Sequence, residues 1–170
     1  MSRSFGFAAL KTRLDGEFFG RARATEALIL AAVAREHAYI EGPPGCGKTL
    51  LAETVAKSLP LRFWGYQFHR ATRLAEITGD AVIEREPTTK GEIVRQTSIR
   101  GGLWTAEVAV LDEVSRAPGE ALNALLRTLN ERTDGQGHSL PLSSCFATGN
   151  PPTEDHFNEA LDPAALDRFA

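Results

Sequence analysis

Short apolar runs of strand length alternate along this chain with longer stretches that carry helical spacing, in the order expected of a parallel sheet with crossover helices. Arg23 to Glu36 (RATEALILAAVARE) is rich in alanine and leucine and apolar nearly all round its middle, which predicts a mostly buried helix. Ala38 to Glu41 predicts a short strand. Leu50 to Leu59 predicts a helix that stops at Pro60. Leu61 to Phe68 reads as a second strand and Thr72 to Thr78 as a short helix. Beyond these, Ala81 to Glu86 and Glu92 to Ile99 flank PTTKG with residues that favour extended chain, predicting a charged hairpin. Glu107 to Leu111 is a brief apolar strand. Pro118, at an expected first helical position, opens a helix whose Leu122, Leu125, Leu126 and Leu129 share one face and belong to the core. Ser144 to Thr148 is another strand, a proline-rich loop follows at Pro151, and ALDRFA predicts a final helix.

Composition narrows this picture. A chain of 170 residues with 42% hydrophobic content can bury a core, and its length suits one domain, residues 1–170. The net charge of −3 offers no basic excess for a phosphate backbone, so nucleic acid is not the expected partner. Cys46 and Cys145 lie far apart, without histidines at metal-ligand spacing, so neither a disulfide framework nor a zinc site is expected; a reducing, cytoplasmic setting is. No apolar run reaches the ~18 residues of a membrane span.

The strongest chemical signal is Gly42-Pro43-Pro44-Gly45-Cys46-Gly47-Lys48-Thr49, which fits the phosphate-cradling pattern G-x-x-x-x-G-K-[ST] between a strand and a helix. Glycines let backbone N–H groups curl toward anionic oxygens, and the helix running on through Leu50 adds the positive end of its dipole. Lys48 places a full charge against the β- and γ-phosphates. Thr49 can offer its hydroxyl to Mg²⁺. Cys46 reads as a small spacer or, alternatively, as a redox-sensitive thiol at a helix start.

A bound triphosphate still needs an oriented water, and Val108-Ala109-Val110-Leu111-Asp112-Glu113 puts two acids at the end of an apolar strand. Asp112 would bind Mg²⁺ through water, and Glu113 would accept a hydrogen bond from the attacking water and help take its proton. Asn150 closes the strand SCFATGN and could reach the same edge, because ligands of open α/β sheets lie at the carboxyl ends of strands; a simple turn before Pro151 is the alternative.

Together GPPGCGKT, AVLDE, ATGNP and ALDRF, in this order, resemble the Walker A, Walker B, sensor 1 and arginine-finger segments of AAA+ ATPases. LDEVSRAPGEALNALLRTLNER, ATGNPP and LDPAALDRF make the likeness strongest to the MoxR branch, including the RavA and CbbQ/NorQ groups. The resemblance implies a three-layer α/β P-loop core with a mostly parallel sheet and an inserted hairpin, here 81–99. It implies ATP and Mg²⁺ as ligands, and hydrolysis to ADP and phosphate that drives chaperone-like remodelling or activation of a partner complex. Implied partners are a homo-oligomeric ring, typically hexameric, and a protein substrate or a protein bearing a von Willebrand factor A domain. Phe19 and Gly20 resemble the segment that packs near adenine, although an aromatic covering the core is the alternative. Arg168 resembles the finger that reaches a neighbouring subunit's γ-phosphate. The family places a helical lid after that finger, and the sequence stops at Ala170 before one. Rival readings are a P-loop small-molecule kinase, a nucleotide-gated assembly module with negligible hydrolysis and, disfavoured by the acidic charge balance, a nucleic-acid motor of the related insertion-bearing groups. ATP against GTP preference is open.

Overall fold

The computed structural model describes residues 6–88, 91–134 and 136–151, and shows the hairpin between 81 and 98 as backbone. In chain order the elements are α1 (Phe7–Glu17), α2 (Ala22–Ala34), β1 (Ala38–Glu41), α3 (Lys48–Ser58), β2 (Phe63–Gln67), α4 (Leu74–Thr78), β3 (Gly79–Thr88), β4 (Gly91–Arg100), β5 (Val108–Asp112), α5 (Gly119–Glu131) and β6 (Ser144–Gly149), with short 3-10 turns at 102–104 and 114–116. Four strands form one parallel sheet in the order β1-β6-β5-β2.

The two-residue period of the central strands explains the layers. On β5, Ala109 and Leu111 pack into a cluster with Phe68, Ile77, Leu125 and Leu129, so that face is covered by α4 and α5. Val108 and Val110 point the other way, into a cluster with Leu10, Leu14, Leu28, Leu51 and Val55 from α1, α2 and α3. β6 does the same, with Cys145 and Ala147 on the first face and Phe146 on the second. A strand buried on both faces has no polar side to show, hence the unbroken apolar run VAVL in β5.

Three differences from the sequence expectations have physical causes. The helix α1 was not expected, because its apolar signal is slight; Leu10 and Leu14, one turn apart, are its only buried side chains, and α2 gives them their partner. The helix α2 is not mostly buried: Leu28 and Ile29 face the core, but Leu30 and Val33 are 59% and 51% exposed. Among the described residues β1 is an edge strand, and no further layer covers that side of α2. Pro118 caps α5 rather than opening its first turn.

The hairpin is confirmed as an antiparallel pair from Gly79 opposite Arg100 to Thr88 opposite Gly91. It leaves the end of α4 and returns directly into the 3-10 turn at 102–104, with the Gly101 N–H donating to Thr78 O at 3.1 Å. The hairpin thus stands between α4 and the 3-10 turn at 102–104, which lie against each other. The expected helix at ALDRFA, and Arg168 within it, lie outside the described residues.

Candidate nucleotide site

Because β1, β5 and β6 run parallel and in register, with Ile40 opposite Thr148 and Leu111 opposite Ala147, their carboxyl ends finish at one edge. The loop after β1, the acids after β5 and Asn150 after β6 therefore meet without any being neighbours in sequence. They border a cleft of about 340 Å³ lined by residues that include Gly45, Gly47, Lys48, Thr49, Asp112, Glu113, Thr148 and Asn150.

The loop owes its shape to glycine. Gly45 and Gly47 have φ of +76° and +82°, a region that side-chain-bearing residues avoid, and Gly47 also serves as the N-cap of α3. That cap has no side-chain acceptor and the first turn has no acid, so the N–H groups and positive dipole end of α3 are directed at the cleft. Lys48 Nζ donates to Gly42 O at 2.7 Å, to Pro43 O at 2.9 Å and to Asn150 Oδ1 at 2.9 Å. The ammonium thus joins the loop to the end of β6. Pro44 and Leu50 also line the cleft, and Cys46 sits with its Sγ 3.9 Å from Lys48 Nζ.

Asp112 Oδ1 receives two hydroxyls, from Thr49 and from Thr148, each at 2.5 Å. A hydroxyl and a carboxylate so placed form an all-oxygen donor set of the kind Mg²⁺ takes beside phosphates. Among the described residues no three His, Cys, Asp or Glu side chains converge into a cage, so a cation here would complete its shell with phosphate and water.

Glu113 stands in the left-handed region, at φ 53° and ψ 44°, which costs about 1–3 kcal/mol for a residue with a β-carbon. Its N–H donates to Thr148 Oγ1 at 3.2 Å, and its carbonyl accepts from the Arg116 N–H at 2.8 Å. These bonds hold the turn that puts Glu113 on the cleft wall. One carboxylate oxygen pairs with the Arg116 guanidinium at 2.8 Å.

Thr148, Arg116 and Arg21 were missed in the sequence. Thr148 lies two residues before Asn150, the spacing that puts strand side chains on one face, so that signal was present. Arg116 follows Glu113 at helical i,i+3 spacing, but only the 3-10 turn makes the two meet. Arg21 Nη2 donates to Cys46 O at 2.9 Å, a contact between segments 25 positions apart that no local pattern announces. Phe19 is 88% exposed, and Gly20 forms a turn at φ 71°.

The family model for the MoxR domain of MoxR-vWA-beta-propeller ternary systems matches residues 7–170. The chain belongs to the MoxR family of AAA+ ATPases. Among MoxR relatives, Chaperone MoxR1 of Mycobacterium tuberculosis is 30% identical over 88% of this chain and 39% of its own length. The uncharacterized protein MJ0812 of Methanocaldococcus jannaschii is 34% identical over 94% of this chain and 42% of its own. The crystal structure of a "putative ATPase" from Cytophaga hutchinsonii shares the fold, with a TM-score of 0.66 at 24% identity, covering 96% of this chain and 48% of the other. The chain thus spans less than half the length of each of these three proteins. Among the described residues no helix is long and apolar enough to cross a membrane.

Proposed function

We propose that this MoxR-family domain binds Mg·ATP and hydrolyses it to ADP and phosphate, and that the cycle drives remodelling of a partner protein complex. The observation that carries the reading is the meeting of Thr49 and Asp112 at 2.5 Å on the wall of the cleft that Lys48 and Asn150 close at 2.9 Å. In the bound complex Lys48 turns its donors from the loop carbonyls to the β- and γ-phosphates, while the N–H groups of the loop and of α3 take the remaining oxygens. Thr49 and, through water, Asp112 would hold Mg²⁺, which would supply charge neutralisation for the phosphates. Asn150, already bonded to Lys48, stands where it can hydrogen-bond the γ-phosphate or the attacking water. Glu113 orients that water and accepts its proton, for which its carboxylate must exchange Arg116 for the water. Arg168 of a neighbouring subunit neutralises charge developing on the γ-phosphate. Adenine packs near Phe19 and Gly20.

The partner reading rests on the matched family model, which names MoxR domains in systems with vWA and β-propeller components. A protein bearing a von Willebrand factor A domain is accordingly the proposed partner, with the domain acting in a homo-oligomeric ring in the cytoplasm.

The test is a nucleotide titration followed by phosphate release without added acceptor. ATP and ADP should bind, Lys48→Ala should abolish binding while the circular dichroism spectrum is unchanged, and phosphate should appear with ATP alone. Triphosphate affinity of Lys48→Ala within about twofold of the unsubstituted chain would overturn the site, since a full charge against phosphate is worth far more than that.

A further inference from the structure

The N-terminal segment reaches the phosphate loop from outside the cleft, through a residue that does not line it. Arg21 Nη2 donates to the carbonyl oxygen of Cys46 at 2.9 Å. The backbone of Arg21 is anchored: Arg21 O accepts both the N–H of Thr25, at 2.9 Å, and its hydroxyl, at 3.1 Å, and Thr25 is fully buried. The Gly20 turn, with φ 71°, and the Arg21 N–H bond to Phe18 O at 3.3 Å shape the backbone from which the side chain starts.

The peptide that Arg21 holds is the one between Cys46 and Gly47. No described peptide bond is cis, so the Cys46 C=O and the Gly47 N–H point in opposite directions from one plane. Gly45 and Gly47 line the cleft on either side of Cys46. That plane turns about ψ of Cys46 and φ of Gly47, and glycine at 47, with φ +82°, tolerates settings that a β-carbon there would exclude. A donor outside the loop can therefore choose which way the plane faces.

We infer that Arg21 is a positioning residue for the phosphate cradle: by holding the Cys46 carbonyl outward it turns the Gly47 N–H into the cleft, where a nucleotide's β-phosphate would accept from it. Lys48 secures the other arm of the loop through Gly42 O and Pro43 O. The two cations thus brace the loop at both ends, one inside the cleft and one outside. The inference rests on the nucleotide-binding reading above.

Its signature is equal loss for di- and triphosphate, since a preset N–H serves the phosphate that both carry. In calorimetric titrations of the chain with ADP and with ATP, Arg21→Ala should weaken both by the same factor. That factor is expected to be roughly five- to tenfold, the size of one charge-assisted bond at an exposed site. Arg21→Lys should recover part of the loss, because an ammonium can also donate to the carbonyl. Arg23→Ala removes the same charge two residues away, from an exposed position, and should leave both affinities within about twofold, as expected for a distant screened charge. Affinities of Arg21→Ala equal to the unsubstituted chain overturn the inference. So does a loss confined to ATP, which would make Arg21 a direct γ-phosphate contact, or an equal loss in Arg23→Ala, which would make the effect one of net charge. Failure of the unsubstituted chain to bind either nucleotide would instead sink the functional reading itself. Binding that Lys48→Ala abolishes and Arg21→Ala leaves untouched removes only the role of Arg21.

Discussion

At the scale of single residues, the site is built from side chains bonded to one another across separate segments. Asp112 accepts from Thr49 and Thr148 on one oxygen, and Thr148 also accepts from the Glu113 N–H, so a small hydroxyl on β6 holds the Asp112 carboxylate and the Glu113 backbone at the end of β5. Glu113→Gln is expected to keep Mg·ATP affinity and to lower turnover by at least about 100-fold, the range for a lost general base, because the amide keeps the shape but cannot accept the water's proton. A single-turnover measurement beside a binding titration checks this; parallel loss of both would make Glu113 a structural or metal-site residue. The candidate residues from Gly42 through Thr49, with Asp112, Glu113 and Asn150, were legible in the sequence because phosphate chemistry dictates their types and spacing. Thr148, Arg116 and Arg21 were not, because their roles depend on distances that only the folded chain sets.

At the scale of elements, the hairpin is tied to the loop that precedes β6. Arg100, at the root of β4, pairs with buried Asp134 at 2.5 Å, and His138 Nδ1 reaches the same carboxylate at 3.0 Å. Burial pushes the Asp134 carboxyl up, but hydrogen bonds from the His138 backbone and ring and from the Gln136 N–H outweigh it and bring the group down to about 2. A carboxyl lowered from 3.8 in the unfolded chain stabilises the fold above that value, and the contribution is lost as the pH falls through the window toward about 2. Asp134→Asn should flatten this acid limb of the stability profile and speed hydrogen exchange at the base of the hairpin at neutral pH. Unchanged exchange there would show that the bridge does not anchor the hairpin. His37, whose Nε2 lies 3.0 Å from Leu129 O, adds a second dependence: burial pulls its imidazole below 6.5. Stability it provides is therefore present above pH 6.5 and declines as the unfolded chain takes up the proton below it.

At the scale of the whole molecule, the proposed role of Arg168, to reach the γ-phosphate held by a neighbouring subunit, would require assembly. Lys48→Ala subunits should keep Arg168 but fail to hold ATP, and Arg168→Ala subunits should hold ATP but lack the proposed finger. Mixing the two should restore part of the ATPase activity. A mixture as inactive as either variant, with co-assembly shown by crosslinking, would rule out action in trans. The sequence by itself determined the α/β class, the alternation of strands and helices, the hairpin and the glycine-rich loop between β1 and α3, since periodicity and glycine placement follow from local stereochemistry. Only the tertiary structure decided which strands lie side by side, that Leu30 and Val33 of α2 stay uncovered among the described residues, that the slight pattern of α1 suffices for a helix, and that Arg21 meets Cys46. The physical reason is the range of the forces involved. Backbone preference and side-chain period act over a few residues, whereas burial and long-range hydrogen bonds are settled only when distant segments pack together.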